Sequence, residues 1–103
     1  MATKTVSVSV AGSGNNTLVT GVAGHLYKVT SYALVANGTV GVKFISGSTD
    51  ISGVMPLIVN SGVSATGSRE DPLLETLPGD NLIINLSAAV AVTGHLSYVD
   101  AVS

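Results

Sequence analysis

Gly79-Asp80-Asn81-Leu82-Ile83-Ile84-Asn85-Leu86-Ser87-Ala88-Ala89-Val90-Ala91-Val92-Thr93-Gly94-His95-Leu96-Ser97-Tyr98 is the stretch that decides the fold. It reads as two strands folded back on each other. The turn cluster Pro78-Gly79-Asp80-Asn81 opens it, because proline fixes φ, glycine accepts positive φ, and Asp and Asn bond their own backbone. Leu82, Ile84 and Leu86 then point one way, and Ile83, Asn85 and Ser87 the other. After Ala88-Ala89, Leu96 and Tyr98 alternate with His95, Ser97 and Val99. A period of two with small or apolar residues on both faces suits strands deep in a two-layer sheet structure.

The same period extends outward to the rest of the chain. Val6, Val8 and Val10 alternate with Thr5, Ser7 and Ser9, which predicts a half-buried strand with one hydroxylated face. Gly12-Ser13-Gly14-Asn15-Asn16 reads as a loop and Leu18 to Val22 as a short strand. His25 to Val35 is the longest strand candidate, with Leu26, Tyr32 and Leu34 on one face and Tyr27, Val29, Ala33 and Val35 on the other. Asn37-Gly38 carries the strongest hairpin signal, since a type I′ turn needs φ > 0 at both central residues. Thr39 to Ser46 returns with Val40, Val42 and Phe44 on one face, before a turn at Gly47-Ser48. Thr49 to Ser52 is a strand fragment with Gly53 a candidate bulge, and Pro56 sends Met55 to Val59 to a sheet edge or a strand start. Ser61 to Ser68 reads as a long surface loop. Between Pro72 and Leu77 a short strand is favoured over one helical turn capped by Asp71, because Pro78 leaves no room for a longer helix.

The count is roughly eight short strands, turn signals every eight to twelve residues, and no helix of normal length. That predicts an all-β, single-domain antiparallel β-sandwich, jelly-roll-like, over residues 1–103. The echo of Val22-Ala23-Gly24-His25-Leu26-Tyr27 in Val92-Thr93-Gly94-His95-Leu96-Ser97-Tyr98 marks either equivalent strands in two sheets or chance in a Val- and Gly-rich chain. The expected core is Val6, Val8, Val10, Leu26, Tyr32, Leu34, Val40, Val42, Phe44, Leu82, Ile84, Leu86 and Leu96.

Charge is the unusual part of the composition. Charged residues make up 10% of the chain, against about 25% in an ordinary soluble domain. A surface of Ser, Thr, Asn and Gly suits a domain shielded by neighbours in an assembly more than a charge-poor extracellular one. The net charge of −2, with Lys4, Lys28, Lys43 and Arg69 scattered, argues against nucleic-acid binding. No apolar signal core follows Met1, and no apolar run is long enough to span a membrane. There is no Cys, so the core or a partner must supply the stability.

Chemical motifs are sparse. Gly12-Ser13-Gly14 lacks the third glycine and the following helix of a phosphate loop. His25 and His95 lack a second ligand at metal spacing and read as outward strand residues. Glu70, Asp71, Glu75 and Asp80 lack the spacing of a calcium loop and read as a solvated acidic segment. No Gly-x-Ser-x-Gly elbow occurs. Asn15-Asn16-Thr17, Asn37-Gly38-Thr39 and Asn85-Leu86-Ser87 match glycosylation sequons, which matter only in a secreted chain. The expectation is a non-enzyme with no cofactor and no metal.

Gly53-Val54-Met55-Pro56-Leu57, Pro72-Leu73-Leu74-Glu75-Thr76, Pro78-Gly79-Asp80-Asn81-Leu82 and Val92-Thr93-Gly94-His95-Leu96-Ser97-Tyr98 resemble a family of small all-β virion proteins of tailed bacteriophages. Gly24-His25-Leu26-Tyr27-Lys28-Val29 and Val40-Gly41-Val42-Lys43-Phe44 are similar to the same group, so the likeness covers nearly the whole chain. It implies a capsid decoration or cement protein at the virion surface, made in the host cytoplasm. Its expected partners are the major capsid protein and further copies of itself, as a trimer, with no nucleic acid and no membrane. The loop from Asn60 to Asp71 is the expected shell-facing reach, with Arg69, Glu70 and Asp71 the candidate contacts and Arg69 the salt-bridge donor. The alternative is a tail- or fibre-associated module that binds host carbohydrate. Sugar sites usually present aromatic faces; this chain has no Trp, and Tyr27, Tyr32, Phe44 and Tyr98 all fall in predicted strands.

Overall fold

A computed structural model describes residues 3–67 and 73–102. Ten strands lie among them: β1 (Thr3–Val10), β2 (Gly14–Val19), β3 (His25–Ala36), β4 (Val40–Ser46), β5 (Thr49–Asp50), β6 (Met55–Leu57), β7 (Gly62–Thr66), β8 (Leu74–Glu75), β9 (Leu82–Leu86) and β10 (Val92–Val102). They form two antiparallel five-stranded sheets. One runs β1-β10-β3-β7, with β8 also on β3; the other runs β2-β9-β4-β5, with β6 also on β4. The β-sandwich expected from the sequence is the fold, with ten strands in place of eight.

The chain changes sheet at most of its short connections, and this overturns the two hairpin readings. β9 pairs with β2 and β4, while β10 pairs with β1 and β3, so the deciding stretch crosses the sandwich instead of folding back in one sheet. Asn37-Gly38 crosses as well, from β3 to β4, and neither residue has positive φ. The cause is the apolar faces. Leu34 and Ala36 of β3 and Val40, Val42 and Phe44 of β4 are all buried in one core, so the two strands must face each other across the layers. The tight hairpin falls at Gly47-Ser48, where Ser46 pairs Thr49 and Gly47 takes φ 60°.

The core holds Phe44, Leu34, Leu82, Ile84, Leu86 and Leu96 with essentially no exposure. Burying each such side chain contributes roughly 1.5–3 kcal/mol. Val6, Val10 and Tyr32 pack on it half-buried, and Leu26 does not join it; Tyr27 and Val29 do. A β-bulge explains the exchange. Ser97 pairs Ser31 and Tyr98 pairs Val29, so Thr30 is the extra residue of β3, with its hydroxyl directed at the Ser97 carbonyl. Past such a bulge the inward face changes parity, from Tyr27 and Val29 to Tyr32, Leu34 and Ala36.

Other boundaries moved too. Part of the expected Ser61–Ser68 loop is β7, which pairs with β3 and turns Val63 inward. β2 begins at Gly14, inside the expected loop, and ends at Val19. Gly53 lies between β5 and β6 and bulges neither. β8 bears out the short strand before Pro78, and β6 with Pro56 lies at a sheet edge. The two echoing segments belong to β3 and β10, neighbours in one sheet and not equivalents in two.

Candidate functional site

Charged groups gather where β3 begins and β10 ends. His25 pairs Val102 in register and Tyr27 pairs Asp100. The His25 Nδ1 lies 2.8 Å from Asp100 Oδ1, and Lys4 Nζ lies 3.7 Å from Asp100 Oδ2. Next to them Tyr27 meets Tyr98 edge to face at 5.3 Å and donates its hydroxyl to the Thr20 carbonyl at 2.6 Å. Burial, and then the Asp100 charge and Tyr98, push the Tyr27 hydroxyl above the ordinary tyrosine range. The His25–Asp100 pair ties the start of β3 to the end of β10.

The residues singled out in the sequence do not converge. Arg69, Glu70 and Asp71 lie outside the described residues. Glu75 is exposed on β8, and Asp80 accepts the hydroxyl of buried Ser46 at 2.9 Å, which fixes a turn. His95 is exposed on the outer face of β10, about 25 Å along the strands from His25 at the usual rise per residue. Among the described residues no three His, Cys, Asp or Glu side chains gather as metal ligands. Gly14 leads into strand β2, not a helix, so Gly12-Ser13-Gly14 makes no phosphate loop. Asp100 was missed because nothing local marks the partner of a His that lies 75 positions away.

The most regular surface is the outer face of the β1-β10-β3-β7 sheet. Register places Thr5, Ser97, Ser31 and Thr66 in one row across four strands. The next rows are Ser7, His95, Ala33 and Ser64, then Ser9, Thr93, Val35 and Gly62. No Lys, Arg, Asp or Glu occurs in them. The hydroxyls of Thr5 and Ser97 bond each other at 3.3 Å within the first row. This face follows from the Thr-Ser-Ser alternation of β1, but its continuation across three further strands was not legible before the register was known.

An open hollow of about 230 Å³ lies between Val35, Ala36, Asn37, Asn60, Ala91 and Thr93. It carries no charged side chain and is smaller than the roughly 300–1,000 Å³ of a ligand pocket. All four aromatic rings are turned inward: Tyr27, Phe44 and Tyr98 are buried and Tyr32 is half-buried against Phe44. No helix among the described residues is long and apolar enough to cross a membrane.

No family model and no curated protein matches this chain. Among solved structures, the chain is similar to one from the work described as "Bacillus endospore appendages form a novel family of disulfide-linked pili", at 16% identity and a TM-score of 0.53. The likeness covers 94% of this chain and 82% of that one. At that identity it speaks to the fold, the same two-sheet β architecture, and to nothing finer.

Proposed function

We propose that the protein is a structural module of an ordered assembly, a capsid decoration or cement protein of a tailed bacteriophage that docks on the shell through its hydroxylated sheet face. The observation that carries the docking face is its composition: three rows across four strands without an ionised Lys, Arg, Asp or Glu. Burying these three rows desolvates no fixed charge, which suits the charge-depleted centre of an interface, and the adjoining row with Lys28 and Glu75 falls at its rim. The virion setting comes from the sequence resemblance. Inward aromatic rings speak against the carbohydrate-binding alternative, since none offers a face for a sugar to stack on.

The test is loading of purified protein onto heads that lack it. Wild-type protein should bind in many copies per head. A Ser64→Asp/Thr93→Asp variant, altered at two exposed positions of the face, should melt like wild type and fail to load. Equal loading of that variant, or a location confined to a few copies at the tail, would overturn the proposal.

A second reading, a subunit of a self-assembling filament, draws on the fold likeness to the spore pilus chain. With no Cys, this chain would have to assemble without the disulfide links named for that pilus. Electron micrographs of concentrated protein separate the two readings, because only the filament subunit forms fibres in the absence of heads.

A further inference from the structure

We propose that β1 is the docking edge of a two-fold homodimer, pairing antiparallel with β1 of a second copy about an axis at Ser7. The inference does not depend on the virion reading, since the edge is a property of the fold.

The two sheets have four lateral edges among the described residues. An exposed strand edge presents unpaired N–H and C=O groups that another chain can complete, and proteins normally interrupt such edges. Three of the four described edges are interrupted. β2 is broken by a register shift between Thr17 and Val19, and the Asn16 amide donates to the carbonyls of Gly12 and Gly14 at 2.9 and 3.2 Å. On the flank of β4, β5 and β6 have two and three residues, and β6 contains Pro56. On the flank of β3, β7 and β8 are separate pieces of five and two residues.

β1 has none of these devices. Its ladder with β10 runs unbroken from Thr3↔Val99 to Val10↔Val92, and it contains neither Pro nor Gly. Its one charge, Lys4, is directed to Asp100. Among the described residues no strand lies beyond it.

The occupant follows from the pattern of faces. Opposed residues of antiparallel strands share a face, so the hydroxyl positions of β1 must meet hydroxyl positions and the valines must meet valines. A second β1 centred on Ser7 does this along the middle of the strand, and at each end Val10 lies opposite the partner's Lys4, whose aliphatic stem can cover it. Thr5 then opposes the partner's Ser9, Val6 opposes the partner's Val8, and Ser7 opposes the partner's Ser7. Thr5 and Ser97 already make the same kind of hydroxyl pair inside the chain. Val6 and Val10, half-buried at the edge, gain cover. The two Lys4 charges end about 20 Å apart, six strand residues, so no like charges meet. A closed three-fold ring would need β1 to dock on a different edge of its neighbour, and each of those is interrupted. The structure therefore favours a two-fold pair over the trimer that the resemblance implies.

The experiment uses the full chain, which has no cysteine of its own. Sedimentation velocity of the wild type should show a dimer that dissociates on dilution. Ser7→Cys should give a covalent dimer under mild oxidation, because directly opposed strand residues lie within disulfide reach; Ser64→Cys, on the same face at β7, should not. Ser7→Lys places two like charges at the axis and should weaken the dimer about tenfold or more, while Ser64→Lys leaves it intact. If Ser7→Lys proves unfolded by circular dichroism, the cysteine pair still decides. A wild type that stays monomeric at its highest soluble concentration, or that forms a trimer, overturns the proposal. So does cross-linking that is equal at Ser7 and Ser64.

Discussion

The two lateral sides of the sandwich are finished differently. One side carries β1 and β2, the other β5 to β8. The strands of the first side carry one charged residue, Lys4, and those of the second carry Asp50 and Glu75. On the second side the flanks of β3 and β4 are each covered by two short strands with a gap between them, so their backbone groups are satisfied in pieces. On the first side β1 offers eight residues in one unbroken register. The difference lies in the continuity of the ladder, and an uninterrupted edge is the kind that can receive another strand.

Both sides share one core. Phe44→Ala empties the centre of the core, where the ring meets Tyr32 at 5.1 Å with no exposure of its own. It should cost roughly 3–5 kcal/mol, read from the shift of a denaturant midpoint, and both sides should unfold in one transition. Two separated transitions would mean that the sides are not held by one core.

Gly94→Ala attacks the strand that joins β1 to the rest. Gly94 lies in β10 opposite Val8 and Leu34, at φ 153°, where a Cβ would run into the Ala33 carbonyl oxygen. The expected loss is about 3 kcal/mol, typical of forced backbone strain in a core strand. Hydrogen exchange should rise in β1 and β3 together. A variant as stable as wild type would show that β10 can shift and that its register does not fix the β1 edge.

Tyr27→Phe is milder and depends on pH. The Tyr27 pKa is raised by burial, by the Asp100 charge and by Tyr98, so the folded state holds the neutral phenol more tightly than the unfolded chain does. That contribution is complete below the unfolded value of about 10 and is lost as pH rises through the higher folded value. Wild type should therefore weaken at alkaline pH more steeply than Tyr27→Phe. Near neutrality the variant should lose about 1 kcal/mol with the hydrogen bond to Thr20. Parallel alkaline limbs for the two proteins would remove Tyr27 as the cause.

How much of this was legible in the sequence depended on side-chain size and on what a turn can specify. β4 and β9 announced themselves because Val40, Val42, Phe44, Leu82, Ile84 and Leu86 are large and strictly alternate. β7 did not, since only Val63 and Ala65 mark its inner face amid Gly, Ser and Thr. Turn residues fix a local reversal but not which sheet receives the next strand, so the reversals at Asn37-Gly38 and after Ala88-Ala89 are legible while the sheets of the strands they join are not. The bulge at Thr30 carries no sequence mark, and it moved Leu26 out of the core and brought Tyr27 in. The hydroxylated face was half visible, in β1 alone; the other strands joined it only through register. The loop candidates Arg69, Glu70 and Asp71 lie outside the described residues.

The contrast between the sides is tested most directly by hydrogen–deuterium exchange of the wild-type chain, followed by mass spectrometry at high and low protein concentration. Peptides that cover Thr3–Val10 should keep the protection of the amides bonded to β10 at any concentration and gain protection at the outward half only in concentrated protein, while peptides from β5 to β8 exchange at one rate throughout. Protection of the outward β1 amides that ignores concentration, or concentration-dependent protection in β5 to β8 instead, would show that β1 is not the docking edge.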